Sequence, residues 1–201
     1  MEFVTTMVGV AVKGKSVLGV IHKPFSLETF WAVDGHGMSP TISKLLQERK
    51  DRSSVSKPGD IKVVVSRSHA GTVTNLTQAA LASLGVKPEI ITSAGAGNIY
   101  PLFSFSHRNE LLMRVVFLGY KVLEVVRGKA DAYVHATHIK KWDLCAGDGI
   151  LKALGGTMTT LNGQTIDYSP ESDPKNTGGL LAYVSLPADI ITNFQSIKIP
   201  A

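Results

Sequence analysis

A strand, a lone aspartate and a helix follow one another in the last third of the chain, and this order constrains the fold most. Residues 131–136 form a short run of strand-forming residues. After Asp143, apolar residues recur at helical spacing, and Gly155-Gly156 is a typical helix stop. An aspartate at such a junction is either the N-cap of the helix or a functional carboxylate.

Strands alternate with helices along the rest of the sequence. The residue patterns predict strands at 4–12, 16–22, 30–33, 61–65, 88–92, 131–136, 157–161 and 180–186. They predict helices at 72–84, 120–126, 188–194 and after Asp143, and a polar loop with one short helix at 39–60. Lys13-Gly14 is a hairpin turn. This order predicts an α/β sandwich with mixed sheets, and a chain of 201 residues with 44% hydrophobic content predicts a single domain.

The charge balance limits the partners. The formal net charge of +5 is either ordinary surface lysine or the field of a site for a small polyanion. The basic residues are scattered without interleaved aromatic side chains, so the pattern argues against nucleic-acid binding. Cys145 is the single cysteine, which excludes an internal disulfide. No apolar run approaches the roughly 20 residues that a membrane span needs.

Polar and glycine-rich turns follow two of the predicted strands. Ser66-Arg67-Ser68-His69 joins a strand to a helix, and its hydroxyls, its imidazole and the helix N-terminus suit an anion or a ribose. The alternative is that Ser68 or His69 only caps the helix. Residues 94–97 are a glycine turn, which is weak support for a site by itself. His135 and His138 are three apart, but on a strand this spacing does not suit zinc.

The string from Lys140 to Gly147, with Gly155-Gly156 behind it, resembles the Trp-Asp signature of the inositol monophosphatase superfamily, whose members are magnesium-dependent, lithium-sensitive phosphatases. A narrower likeness is to the 3'-phosphoadenosine 5'-phosphate phosphatases, particularly their Golgi-resident branch. The lysines before Trp142, residues 17–25 and residues 66–69 carry that likeness. The resemblance extends from residue 4 to about residue 184.

The resemblance implies a layered α-β-α-β-α sandwich of the sugar-phosphatase type, with part of the first half missing. It implies that Asp143 binds Mg²⁺ and also contacts substrate. Ser66, His69, Gly95 and Lys121 would bind the nucleotide, and the alternative for Lys121 is a solvated helix lysine. The implied reaction removes the 3'-phosphate by attack of metal-activated water and gives AMP and phosphate.

Two family motifs are absent from the 201 residues. Relatives carry a Glu-Glu motif and an Asp-Pro-Leu-Asp motif upstream of the segment that matches residues 4–12. Mg²⁺ requires several oxygen ligands, and Asp143 supplies too few. We therefore expect this chain by itself to be an inactive, incomplete phosphatase domain. The rival functions are an inositol monophosphatase and a non-catalytic nucleotide-binding fragment.

Residues 98–119 interrupt the resemblance. Without them Gly97 would join Tyr120, as in the nucleotidase relatives, and the segment is unusually apolar for a surface loop. Gly-Asn and Leu-Gly can be encoded with splice-donor and splice-acceptor dinucleotides. The favoured interpretation is a translated, unspliced intron, and the alternative is a genuine lid over the nucleotide.

The compartment and the partners follow from the resemblance. Asn75-Leu76-Thr77 is the one glycosylation sequon, which agrees with a lumenal protein. The resemblance implies the Golgi lumen, with an N-terminal membrane anchor outside this chain, and a cytoplasmic location is the alternative. The implied partner is a nucleotide bisphosphate, and a homodimer is left open.

Overall fold

The computed structural model describes residues 3–52, 61–93, 112–116 and 118–199. The strands are β1 (Thr5–Val12), β2 (Lys15–Lys23), β3 (Glu28–Val33), β4 (Gly37–Met38), β5 (Lys62–Ser66), β6 (Glu89–Ser93), β7 (Leu112–Val116), β8 (Ala132–His135), β9 (Ile139–Lys140), β10 (Thr157–Thr159), β11 (Lys175–Asn176) and β12 (Leu180–Tyr183). The helices are α1 (Pro40–Arg52), α2 (Ala70–Ala82), α3 (Leu118–Val126), α4 (Lys141–Ala153) and α5 (Ala188–Gln195). A short 3-10 turn, Arg67–His69, precedes α2.

Sheet A is antiparallel, with strand order β4-β3-β2-β1-β7. The predicted hairpin joins β1 to β2, and Lys13 and Gly14 both have positive φ, at 50° and 74°. Two left-handed residues are what a tight hairpin with right-handed strand twist requires. Glycine fits the second of these positions without a steric penalty.

Sheet B is mixed, with strand order β10-β12-β8-β5-β6. Its strands β5, β6 and β8 run parallel, while β12 and β10 are antiparallel to their neighbours. A small third sheet pairs β9 with β11. Because parallel strands end at the same edge of a sheet, the carboxyl ends of β5, β6 and β8 lie together.

The layers are defined by two hydrophobic cores. One core lies between the sheets and contains Phe30 of sheet A, Tyr133 of sheet B and Leu144 of α4. The other packs the opposite face of sheet B, through Val63 and its neighbours, against α2 and α5. The described residues therefore build four of the five implied layers: sheet A, the α3–α4 layer, sheet B and the α2–α5 layer. The predicted mixed α/β class is confirmed.

Helix α1 is longer than the short helix predicted within residues 39–60. It has 13 residues and begins at Pro40. The Ile42 amide donates a hydrogen bond to Ser39 Oγ at 3.4 Å, and proline suits the first helical position. The pair Ser39-Pro40 is a helix-start signal in the sequence. A prediction based on the polar composition of residues 39–60 does not detect it.

Part of the interrupting segment is a strand. β7 pairs antiparallel with the edge of β1, from Thr5 opposite Val116 to Gly9 opposite Leu112. Residues 98–111 and 117 lie outside the described residues. The origin of the segment, intron or lid, stays a prediction.

Candidate active site

The carboxyl ends of the parallel strands form one side of the site. Ser66 ends β5 and Ser93 ends β6, and the two residues are paired in register. Both side chains are buried. Ser66 Oγ lies 3.2 Å from Ser68 Oγ, in the turn that leads into α2. This edge is where open α/β sheets place ligands.

The sequence-predicted residues are brought together only in part. Ser66 lies at this edge, and the backbone of His69 ends the adjacent 3-10 turn. The His69 side chain and all of Gly95 lie outside what the structure describes.

Lys121 of α3 is fully buried, which is not the solvated helix lysine of the alternative prediction. Its Nζ makes no hydrogen bond to any described residue and lies 5.5 Å from the centre of the Tyr133 ring. Burial lowers the pKa of Lys121 from 10.5 to about 8, and the nearby negative charge of Asp143 opposes that shift. Lys121 is thus a cation between the sheets, close to Asp143.

Asp143 is not the helix N-cap. The N-cap is Lys140, and Asp143 is the third residue of α4, with 7% of its surface exposed. A carboxylate in the first turn interacts favourably with the free amides there. The Asp143 charge also raises the pKa of Tyr133, although burial is the larger cause. Asp143, Lys121 and Tyr133 therefore form one electrostatic group.

Glycines allow α4 to press against sheet A and so fix the position of Asp143. A Cβ on Gly9 would lie 2.7 Å from the Ala146 amide nitrogen, and one on Gly19 would overlap the Ala146 carbonyl oxygen. A Cβ on Gly149 would lie 2.7 Å from the backbone of Leu18. Contacts this close leave no room for any side chain at these positions.

A second acidic residue of α4 has a different environment. Asp148 is 1% exposed and accepts a hydrogen bond from Lys152 Nζ at 2.8 Å. The Tyr168 ring lies beside this pair, with its centre 6.0 Å from Lys152 Nζ. Burial raises the pKa of Asp148, and Lys152 partly offsets the shift. Asp148, Lys152 and Tyr168, the Asp148 cluster, link α4 to the segment around Tyr168.

Two residues that sequence reasoning missed lie on the face of sheet B that packs toward α3 and α4. Tyr133 is fully buried and Ser93 is 2% exposed, and neither hydroxyl makes a hydrogen bond to a described residue. Alternation along β8 places Tyr133 on one face with His135, a signal present in the sequence. The position of Ser93 follows from strand register, which local sequence does not reveal.

The described residues fit a metal ion only in part. Asp143 offers a carboxylate, the ligand type that Mg²⁺ prefers. Within the described ranges, no three His, Cys, Asp or Glu side chains converge on one point. His135, considered and rejected for zinc, is close to Thr137, with Nε2 2.9 Å from its Oγ1. The part of the chain that the structure describes thus offers Asp143 as a candidate metal ligand and contains no group of three such side chains.

No helix among the described residues is long and apolar enough to cross a membrane.

Comparison with known proteins finds relatives that are named as phosphatases. A family model named "Inositol monophosphatase family" matches residues 1–197. The chain is 44% identical over 181 residues to "Putative inositol monophosphatase 3" of Drosophila melanogaster, a match that covers 90% of this chain and 42% of the relative. It is 44% identical over 191 residues to "Golgi-resident adenosine 3',5'-bisphosphate 3'-phosphatase" of Mus musculus, covering 92% and 43%.

A solved structure shares the fold. The protein named "IMPase/NADP phosphatase complexed with Mg2+ and phosphate" matches with a TM-score of 0.60 and 15% identity, over 98% of this chain and 60% of that chain. The chain spans less than half the length of the two curated relatives above.

Proposed function

This chain belongs to the inositol monophosphatase family, and we propose that it forms part of a Mg²⁺-dependent phosphatase for 3'-phosphoadenosine 5'-phosphate. The products would be AMP and inorganic phosphate. The observation that carries the proposal is the buried Lys121 beside Asp143, next to the strand edge that ends in Ser66. A cation beside a carboxylate supplies both signs of charge that a metal–phosphate complex needs.

Each residue has a defined part in this proposal. The carboxylate of Asp143 would hold Mg²⁺ and contact the substrate. The ammonium group of Lys121 would balance the charge of a phosphate, while Ser66 and His69 would bind the nucleotide and the backbone at Gly95 would approach it. When bound, Mg²⁺ activates water and stabilises charge on the phosphate oxygens.

Burial strengthens what Lys121 contributes. Its ammonium group is held away from water, where a charge interacts more strongly with a ligand than it does in bulk solvent. Its lowered pKa of about 8 leaves it mostly charged at neutral pH. The negative charge of Asp143 favours the charged form of Lys121, so a cation is available to bind an anionic substrate.

The domain, the compartment and the assembly are also proposals. We propose that residues 1–201 belong to one domain, because both faces of sheet B contribute to cores. A Golgi location is supported by the name of the Mus musculus relative. A homodimer stays an open proposal.

An inositol monophosphatase is the second candidate, favoured by the name of the Drosophila relative at the same identity. The two candidates differ in the substrate pocket and share the metal chemistry. A nucleotide site uses hydroxyl and imidazole groups beside a strand edge, which agrees with Ser66 and the turn that follows it. A non-catalytic nucleotide-binding protein is a third candidate.

The test compares substrates in the longest form that the transcript encodes. The purified protein is assayed for phosphate release from 3'-phosphoadenosine 5'-phosphate and from inositol 1-phosphate, with Mg²⁺ and with a chelator. We expect Mg²⁺-dependent release from the nucleotide and little from the inositol ester. Comparable turnover of both esters would reject the nucleotide specificity. Nucleotide binding without hydrolysis would favour the non-catalytic candidate.

A further inference from the structure

We propose that the hydroxyl groups of Ser93 and Tyr133, together with the ammonium group of Lys121, bind the oxygens of the substrate's phosphate. This inference rests on the proposed function and extends it to two residues with no assigned role. The three groups come from three elements: β6, β8 and α3. Each is a hydrogen-bond donor, and a phosphate dianion offers only acceptors.

Strand register places the two hydroxyls on one face. Val64 is paired with both Ile91 and Tyr133, and all three contribute to the core between the sheets. Ser93 lies two residues after Ile91, and side chains two apart point to the same face of a strand. Ser93 and Tyr133 therefore both face the layer that holds α3 and α4.

Lys121 approaches the same face from α3. Its Nζ lies 5.5 Å from the centre of the Tyr133 ring, and the side chain is fully buried. Asp143 is close enough to influence the pKa of both Lys121 and Tyr133. Tyr133 thus lies beside Lys121 and Asp143, and Ser93 lies on the same face of sheet B, with β5 between the two strands.

All three donor atoms lack a partner within the described residues. Lys121 Nζ, Tyr133 Oη and Ser93 Oγ are buried and make no hydrogen bond there. A buried donor left without an acceptor destabilises a protein, and such donors often have a functional role. Two of them, on Lys121 and Tyr133, are neighbours, and the third faces the same layer, which indicates a polar ligand that accepts hydrogen bonds. Ordered water alone is the competing occupant.

The experiment removes one hydroxyl at a time. The variants are Ser93→Ala and Tyr133→Phe, and the matched controls are Thr77→Val and Tyr168→Phe. Thr77 on α2 has a buried hydroxyl without a hydrogen bond among the described residues, and Tyr168 is a buried tyrosine in the Asp148 cluster. The controls repeat the chemical change away from the proposed site.

Binding of inorganic phosphate and of 3'-phosphoadenosine 5'-phosphate is measured by calorimetry with Mg²⁺, in the longest encoded form. We expect each site variant to raise the Kd about tenfold, in the range for a hydrogen bond to a charged group. The melting temperature of the ligand-free variants should stay equal or rise, because an unpartnered buried hydroxyl is removed. The controls should keep the Kd within about twofold of wild type.

The outcomes separate this inference from the function on which it rests. If wild type hydrolyses the nucleotide and both site variants keep the wild-type Kd, this inference is wrong and the proposed function stands. A lower ligand-free melting temperature with unchanged Kd would assign the hydroxyls to structural water. If wild type neither binds phosphate nor hydrolyses the nucleotide, both the proposed function and this inference are wrong.

Discussion

Two buried carboxylates on α4 differ in the charge that faces them. Asp148 is bonded to Lys152, one turn further along the same helix. Asp143 instead has the cation of Lys121, which belongs to a different helix. A bonded pair within one helix stabilises local structure, whereas Lys121 Nζ makes no hydrogen bond to a described residue and is therefore able to bind a ligand. We therefore expect different effects when each charge is removed.

Replacing Asp143 with Asn in the longest encoded form should abolish most activity. The substitution keeps the size of the side chain and removes the charged oxygen that we propose binds Mg²⁺. We expect at least about a hundredfold loss of kcat/KM. The melting temperature should change by less than about 8 °C, because a buried first-turn charge contributes up to about 2 kcal/mol. A loss of stability as large as the loss of activity would make Asp143 a structural residue.

Replacing Asp148 with Asn should change the pH dependence of stability. The pKa of Asp148 is raised in the folded protein, so its contribution to stability is greatest below its unfolded pKa near 3.8. That contribution is lost as the pH rises through the higher folded pKa. An amide side chain does not titrate, so the Asp148→Asn variant should gain stability relative to wild type as the pH rises from about 4 to about 7. Urea unfolding at several pH values measures this difference, and a constant difference would contradict the prediction.

Among the elements, the interface between α4 and sheet A should tolerate added side-chain volume least. Gly19→Ala would place a methyl group against the Ala146 carbonyl. We expect a loss of more than about 2 kcal/mol in the free energy of unfolding, since backbone must move. Gly71→Ala on α2 is the control: its Cβ would meet nothing within 4 Å, and alanine should add up to about 1 kcal/mol. If Gly19→Ala and Gly71→Ala changed the free energy of unfolding equally in chemical denaturation, α4 would not be tightly packed against sheet A.

Deleting residues 98–119 tests the interrupting segment. If the segment is an unspliced intron, its removal brings Lys121 back within a few residues of Gly95, and we expect tighter nucleotide binding in a folded protein. The cost is the loss of β7 from the edge of β1. Calorimetry and thermal unfolding of both forms measure these effects. A lower melting temperature with weaker binding would show that β7 is an integral strand.

The periodic elements were predictable, while the contacts between them were not. The hairpin at Lys13-Gly14 and the strand–helix unit around Asp143 follow from local residue patterns, and the structure confirms both. The N-cap alternative for Asp143 is wrong by three positions, because the helix begins before the aspartate. The pairing of β7 with β1 depends on long-range register. No local pattern predicts which strand edges meet.

For the molecule as a whole, the proposed function makes activity depend on a complete metal site. Within the described residues, Asp143 has no companion group of metal ligands. The 201-residue chain by itself should therefore bind Mg²⁺ only at high concentration and release no phosphate from 3'-phosphoadenosine 5'-phosphate. Isothermal titration with Mg²⁺ and a phosphate-release assay measure both effects. Robust turnover by this chain would show that it carries a complete site.

The hydrogen bond from Ser16 Oγ to the Cys145 carbonyl joins residues 129 positions apart. During synthesis the first hairpin leaves the ribosome long before the helix that covers it. At about 5–20 residues per second, the delay is roughly 6 to 26 s. Through that interval the glycine-lined face of β1 and β2 has no helix against it, and its apolar neighbours meet solvent or other chains. The nascent protein should therefore depend on chaperones early, and its yield should fall when translation slows.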